Sequence, residues 1–161
     1  RQSYAAARVI VVDDMSTDGS IAIAHSLGAT VLTTGRNAGP ARARNLGVAL
    51  SAADLVAFVD ADDYWEPDHL SEIARLARAC PTADIYFTRV RKTDGAIPSA
   101  PLDDPSYAAL NLRSRLFHVN TVPQSAVAVR RDAFLQAGGY DESLRFAEDY
   151  ELWLRMSRTR L

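Results

Sequence analysis

The apolar run Leu55-Val56-Ala57-Phe58-Val59 passes without a spacer into Asp60-Ala61-Asp62-Asp63, and this junction limits the fold more than any other feature of the chain. Five apolar residues, β-branched and aromatic ones among them, are too short for a typical helix. They read as a strand buried on both faces, the kind found in parallel sheets. Open α/β sheets bind ligands beyond the carboxyl ends of their strands, and the three carboxylates fall there. In extended backbone Asp60 and Asp62 point to the same side. Two hard oxygen donors side by side suit Mg²⁺ or Mn²⁺, with phosphate oxygens and water completing the shell. A plainer reading stays open: a solvated acidic turn in which Asp62 or Asp63 caps a helix begun by Pro67.

A second strand ends the same way. Val9-Ile10-Val11-Val12 runs into Asp13-Asp14, and Met15-Ser16-Thr17-Asp18-Gly19-Ser20 follows, where Thr17 or Asp18 offers a helix cap. Two strands of one parallel sheet would bring Asp14 and Asp62 to a common edge, although Asp13 and Asp14 also suit simple capping. A third block, Gly35-Arg36-Asn37-Ala38-Gly39-Pro40-Ala41-Arg42-Ala43-Arg44-Asn45-Leu46-Gly47, reads as a turn and then a helix with Pro40 at its first position. The amino end of that helix is a natural anion site, to which Arg42 and Arg44 add charge. The same arginines also suit an exposed helical face. Gly47 inside the helix costs roughly 1 kcal/mol relative to alanine, which suggests close packing there. No Gly-Lys-Ser/Thr follows and no G-x-G-x-x-G is present, so neither a P-loop nor a dinucleotide fingerprint is at hand. The fourth block is Gly138-Gly139-Tyr140-Asp141-Glu142, then Phe146-Ala147-Glu148-Asp149-Tyr150-Glu151-Leu152-Trp153-Leu154-Arg155. It predicts a helix from about Asp149. A carboxylate at a helix amino end tends to stay ionised, which suits a general base; capping by Glu148 or Asp149 is the plainer alternative.

Together the four blocks resemble the family 2 glycosyltransferases, inverting GT-A-fold enzymes that use nucleotide sugars. The resemblance runs from about Arg8 to Arg155. VVDDMSTDGS is similar to the family's V-D-D-x-S-x-D-x-[ST] block, and NAGPARARNLG to its N-x-G-x-x-x-A-R-N-x-G block. FVDADDYWEPDHL is similar to its D-x-D strand end, and GGYDESLRFAEDYELWLR to its G-G-[FY]-D-E…E-D-x-[DE]-[LM] block. The resemblance implies a role for each position. Asp13 and Asp14 fall in the nucleotide site, with Asp14 contacting uracil or an equivalent base. Asp62 binds the Mn²⁺ or Mg²⁺ that bridges the diphosphate, and Asp60 lies near the ribose or the metal shell. Arg44 lies by the nucleotide or steadies the loop that holds it. Asp149 is the base that deprotonates the acceptor hydroxyl. The implied donor is a nucleotide-diphosphate sugar, a UDP-sugar foremost, and the implied acceptor a carbohydrate or a lipid-linked one in bacterial cell-surface polysaccharide or glycolipid synthesis. The implied setting is cytoplasmic, at the inner face of the cell membrane, with peripheral membrane association of the parent protein.

The departures matter too. Family members begin with an apolar strand about thirty residues before the V-D-D block, whereas only Arg1 to Ala7 precede Arg8 here. The chain therefore reads as an internal fragment lacking the first strand and the C-terminal region, and the neighbours of that strand should keep unpaired edges. This leaves a second reading from another class, a non-catalytic fragment that holds a nucleotide sugar or serves as an interaction module. A nucleotidyltransferase would share the acidic strand ends, but its glycine-rich, basic amino-terminal loop is not seen.

At 161 residues the chain suits one domain with a sizeable core. A net charge of −2 gives no basic field for nucleic acid. Cys80 is the only cysteine, so no disulfide framework or cysteine zinc cluster is available. His25, His69 and His118 lack ligand spacing and read as surface or structural. The basic stretches Leu112 to Arg115 and Arg155 to Arg160 read as solvated helix faces, with anionic lipid or phosphate as the alternative. No apolar run reaches the roughly 18 residues of a membrane span, and no signal peptide is visible. Strands are expected near 8–13, 29–33, 54–60, 84–90 and 122–129, and helices near 18–27, 40–51, 67–79, 107–116, 131–137 and 149–158. Residues 95–105, rich in proline, read as a loop. That alternation predicts a single GT-A-like α/β domain over 1–161, a mostly parallel sheet in a three-layer α/β/α arrangement. Residues 8–66 would form its nucleotide-binding part and 67–161 its acceptor and catalytic part.

Overall fold

A computed structural model describes residues 1–90 and 116–159. The loop expected at 95–105, the basic stretch Leu112 to Arg115 and, but for Leu116, the helix expected at 107–116 lie outside the described residues. Five strands and five helices are seen among them: β1 (Ile10–Asp13), α1 (Ser20–Ser26), β2 (Thr30–Thr33), α2 (Pro40–Leu50), β3 (Leu55–Ala57), α3 (His69–Ala79), β4 (Ile85–Phe87), β5 (Val127–Arg130), α4 (Arg131–Gln136) and α5 (Glu148–Thr159). The class is α/β, as the alternating pattern predicts, and the sheet is mixed. β1 and β2 pair in parallel, Ile10 opposite Thr30. β5 lies between β3 and β4 and runs antiparallel to both. Nothing in the periodicity of Val127 to Arg130 reveals direction, because a strand buried on both faces reads alike either way. The 122–129 strand also starts later than expected. Pro123 has no N–H to give a ladder, and Gln124–Ala126 forms a short 3₁₀ turn instead.

β5 divides the core into two faces. Val127 and Val129 point into a cluster with Val48 of α2, Phe134 of α4 and Leu152, Trp153 and Met156 of α5. Ala128 points the other way, onto Ile73 and Leu76 of α3 and Tyr86 of β4. The alternation of a two-faced strand thus sets helices on both sides of the sheet. Phe58, Phe134, Tyr140 and Trp153 meet through a series of tilted and edge-on contacts with centroids 5.4–6.2 Å apart, geometry that aromatic quadrupoles favour. Among the described residues no ladder joins β1 to β3. Each is paired on one side only, and its residues stay half-buried save Asp13, where β5 is closed off. No helix of the described residues is long and apolar enough to cross a membrane. Arg155 is not a free basic face: its guanidinium holds Glu151 and the carbonyls of Ala137 and Gly139.

A Cβ on Gly47 would meet Val12 Cγ2 at 3.4 Å, an ordinary van der Waals contact, so α2 packs on β1 but the space there does not demand glycine. Gly139 sits at φ 69°, and a Cβ there would stand 2.6 Å from Asn45 Oδ1 and 3.2 Å from Phe134. Gly139→Ala should therefore cost about 2–3 kcal/mol through left-handed strain and overpacking, read as a lower urea midpoint at unchanged m-value. Gly28→Ala, at φ 78° with nothing within 4 Å, keeps only the backbone part of that loss.

Candidate functional site

The carboxyl ends of β1 and β3 carry the acidic clusters, and α2 runs beside both. Arg44, on α2, stands at the centre. Its Nη2 reaches Asp60 Oδ1 at 2.7 Å and its Nη1 reaches Glu148 Oε1 at 2.7 Å. The guanidinium carbon lies 5.5 Å from the centroid of the Tyr140 ring, within reach of a cation–π attraction. Burial opposes charge on Arg44, but its hydrogen bonds to Asp60 and Glu148 outweigh it and raise its pKa, so it remains a firm cation. One planar fork thus ties the segment after β3 to the start of α5. A neighbouring clamp repeats the connection. Asn45 accepts from Tyr140 N at 2.9 Å and donates to Tyr140 O at 2.9 Å and to Glu142 at 3.1 Å. Arg42 pairs with Glu142 at 3.1 Å.

The acidic segment is not extended as expected. Asp63 N donates to Asp60 O at 3.1 Å, closing a turn over 60–63. Asp60 N donates to Ser125 Oγ at 3.0 Å, which draws the chain out of the ladder after Phe58. Asp60 and Asp62 therefore part company. Asp60 turns to Arg44, while Asp62 is exposed on the turn. No group of three or more His, Cys, Asp or Glu fit to hold a metal exists among the described residues. A cation here would have one or two carboxylates from the chain, the arrangement Mg²⁺ adopts when substrate phosphates and water supply the rest. Neither Asp62 nor Asp63 caps α3. That helix starts at His69, and its Leu70 N–H is taken by Gln2 Oε1 at 3.0 Å. His69 is structural, stacked on Trp65 at 4.5 Å with Nδ1 3.0 Å from Thr88.

Asp13 is buried and folds back on its own turn, accepting from Met15 N at 3.1 Å and Ser16 N at 3.2 Å. Asp14 accepts from Thr34 Oγ1 at 2.6 Å, Ala38 N at 2.9 Å and Gly39 N at 2.7 Å. The anion expected at the amino end of α2 is thus the chain's own Asp14. Burial would push its carboxyl up, but hydrogen bonds from Thr34, Ala38 and Gly39 hold it below the ordinary value. The Ala38 N–H is shared with Oδ2 at 3.2 Å, so both oxygens of Asp14 are engaged by its own loop. Asp149 lies in the first turn of α5, its Oδ2 accepting from Asn120 Nδ2 at 3.0 Å and its Oδ1 from Tyr150 N at 2.7 Å. Asn120, Ser125, Glu148 and Tyr140 join the site without having been singled out in the sequence. Only Glu148 and Tyr140 carried a signal, lying inside the motifs.

Acidic strand ends and an acidic helix start, linked through one arginine on an α/β frame, set the class of protein, and comparison with known proteins identifies its family. The model of glycosyl transferase family 2 matches residues 1–137. The chain belongs to that family and has a GT-A fold. It is 32% identical to the succinoglycan biosynthesis protein ExoU of Rhizobium meliloti over 93% of the chain and 48% of the relative. It is 33% identical to the pre-mycofactocin glycosyltransferase of Mycobacterium tuberculosis over 92% of the chain and 33% of the relative. The chain thus spans half or less of these proteins. In structure it is similar to S. aureus TarS, with a TM-score of 0.82 at 23% identity over 97% of the chain and 29% of TarS. The mannosyltransferase PcManGT of Pyrobaculum calidifontis gives 0.72 at 21% over 96% of the chain and 44% of that protein.

Arg44→Ala should cost roughly 2–4 kcal/mol, somewhat less than for a fully buried pair, because Asp60 and Glu148 lose one shared partner. Arg44→Lys should recover only part of it, since a flexible ammonium lacks the planar, pre-organised fork; urea denaturation measures both. Asp14 sets an acid limit. Its folded pKa lies below the unfolded value of 3.8, so its contribution is complete above that value and disappears as pH falls through the lower folded one. Asp14→Asn should flatten the loss of stability as pH falls below the unfolded value of 3.8, followed by the urea midpoint across that acid range.

Proposed function

We propose that this domain transfers a sugar from a nucleotide-diphosphate sugar, a UDP-sugar foremost, to an acceptor hydroxyl with inversion, using a divalent cation. The observation that carries this is the bridge from Asp60 through Arg44 to Glu148. It couples the segment bearing Asp62 to the helix start bearing Asp149, so a donor-binding and an acceptor-activating carboxylate are held by one rigid link. Structures of TarS with UDP and with UDP-GlcNAc, and of PcManGT with GDP-Man and Mn²⁺, support the donor class. Relatives in succinoglycan and colanic acid biosynthesis support a carbohydrate or lipid-linked acceptor in cell-surface polysaccharide or glycolipid synthesis. Work at the cytoplasmic face of the membrane is part of the same proposal, as is a nucleotide-binding part over 8–66 and an acceptor part over 67–161.

In this mechanism Asp62 would hold Mn²⁺ or Mg²⁺, with Asp60 kept nearby by Arg44, and such an ion would supply charge neutralisation for the departing nucleoside diphosphate. Asp14 steadies the loop from Thr34 to Gly39 against which the base would lie, while Asp13 keeps the preceding turn closed. Asp149, oriented by Asn120, takes the proton from the acceptor hydroxyl. The hydroxyl oxygen bonds to the anomeric carbon as the bond to the phosphate oxygen breaks, and the configuration inverts in a single displacement. The unpaired edges of β1 and β3 favour a second reading, a module that binds the nucleotide sugar without turnover.

Asp62→Asn should remove most of the coupling of about 1–3 kcal/mol between Mn²⁺ and nucleotide. Calorimetric titration of UDP with Mn²⁺ and with EDTA reads it, and equal affinities in the folded wild type would sink the metal role. Asp149→Asn should slow turnover by roughly 10²–10⁴ with donor affinity unchanged. Proton NMR of the product should show an inverted anomeric centre. Donor binding without turnover in the wild type would select the binding module instead.

A further inference from the structure

We infer that Gln124 reads the sugar of the donor, an inference that rests on the nucleotide-sugar reading above. Gln124 opens the short turn before β5, between two ties to the site. Upstream, Asn120 donates to Asp149 at 3.0 Å; downstream, Ser125 Oγ accepts from Asp60 N at 3.0 Å. The turn therefore passes from the proposed base to the acidic strand end. Its carboxamide is held at one end only. The Tyr140 hydroxyl donates to Gln124 Oε1 at 3.0 Å, and Gln124 Nε2 is enclosed without a hydrogen-bond partner. A hydroxyl serves as donor or acceptor, so turning the amide over leaves the same result: one end fixed by Tyr140, the other unpaired. Tyr140 cannot easily shift, because Asn45 grips both its N–H and its carbonyl and its ring sits in the aromatic core. Thr121 Oγ1, on the same stretch, is a second enclosed polar atom with no partner.

Unpaired enclosed polar groups are a standing cost, and natural chains keep few of them. The chemistry of their neighbours says what would satisfy these. Asp60, Glu148 and Asp149 outnumber Arg44 in charge, so a phosphate or carboxylate is repelled. An amide N–H and a threonine hydroxyl are poor company for a metal. A neutral group rich in hydroxyls, able to donate and accept, fits both atoms, and the pyranose ring of a donor is such a group. Since Nε2 is enclosed in the free chain, the sugar must displace side chains that close over the turn. A site built to pair a substrate hydroxyl discriminates against donors that lack it.

Calorimetry with Mn²⁺ present tests this on wild type and Gln124→Met, using UDP, UDP-glucose, UDP-GlcNAc, GDP and GDP-mannose. Methionine keeps the length and removes both donors. The expected result is nucleoside diphosphate affinity within twofold of wild type and nucleotide-sugar affinity lower by roughly 3–10-fold, so the sugar-to-nucleotide affinity ratio falls. An unchanged ratio, or equal losses for UDP and its sugars, overturns the role of Gln124 while leaving the donor class intact. Wild type that binds no nucleotide overturns the donor class itself, and this inference with it. If Gln124→Met does not fold, Tyr140→Phe decides by the same ratio. Releasing the amide from its tether should lower that ratio and blunt the preference among sugars, and an unaltered ratio and preference again overturn the proposal.

Discussion

A single guanidinium between two carboxylates organises this domain. Arg44 spans Asp60 and Glu148, which are 88 residues apart in the chain. A planar fork with several N–H groups serves both at 2.7 Å with less loss of freedom than a flexible ammonium. The link is partly buried, with the arginine side chain 15% exposed, so its charges are less screened than on an open surface. Desolvation opposes the Coulomb attraction of such a pair, yet losing one member is costly. Its clearer effect is geometric. It fixes where α5 begins relative to β3, and everything on the first turn of α5 inherits that placement.

The second constraint is Asp14, which supplies internally what the sequence suggested as an external anion. Its carboxylate takes the N–H groups of Ala38 and Gly39 in front of Pro40. A helix amino end attracts negative charge whoever provides it. With Asp14 in place the loop from Thr34 to Gly39 is tied to β1, and a nucleotide base would approach a carboxylate already organised by three donors. Of the two roles the sequence offered for Asp14, these hydrogen bonds show the plain one, and the binding role is the one proposed above.

How much was legible divides by range. The α/β alternation, the helix of Pro40, the start of α5 near Asp149 and the family itself followed from local patterns. Turn geometry did not. Extension through Asp60 and Asp62 was a reasonable inference from period two, but the Asp63 N to Asp60 O bond turns the chain and separates the two carboxylates. Strand direction was also hidden, since β5 reads as apolar in either sense. Asn120, Ser125 and Gln124 lie outside the strong motifs, and their roles come from partners 29, 65 and 16 residues away. No window of local sequence reports such pairings.

Backbone strain falls where this picture places function. Among the described residues, the non-glycine residues with positive φ are Met15 at 71° and Ala147 at 57°. One follows Asp14 directly, and the other precedes Glu148 and Asp149. Such conformations cost on the order of 1–3 kcal/mol and persist only where surrounding contacts hold them. At Met15 the holding contact is visible, since Asp13 takes the N–H groups of Met15 and Ser16. At Ala147 the carbonyl accepts the first helical bond, from Glu151 N at 3.0 Å, and the next residue is pinned by Arg44. At Met15 the strained residue adjoins Asp14, and at Ala147 it adjoins Glu148, the carboxylate that Arg44 holds. The Arg44 bridge thus steadies the backbone turn that leads into α5, and Asp149 follows directly from it.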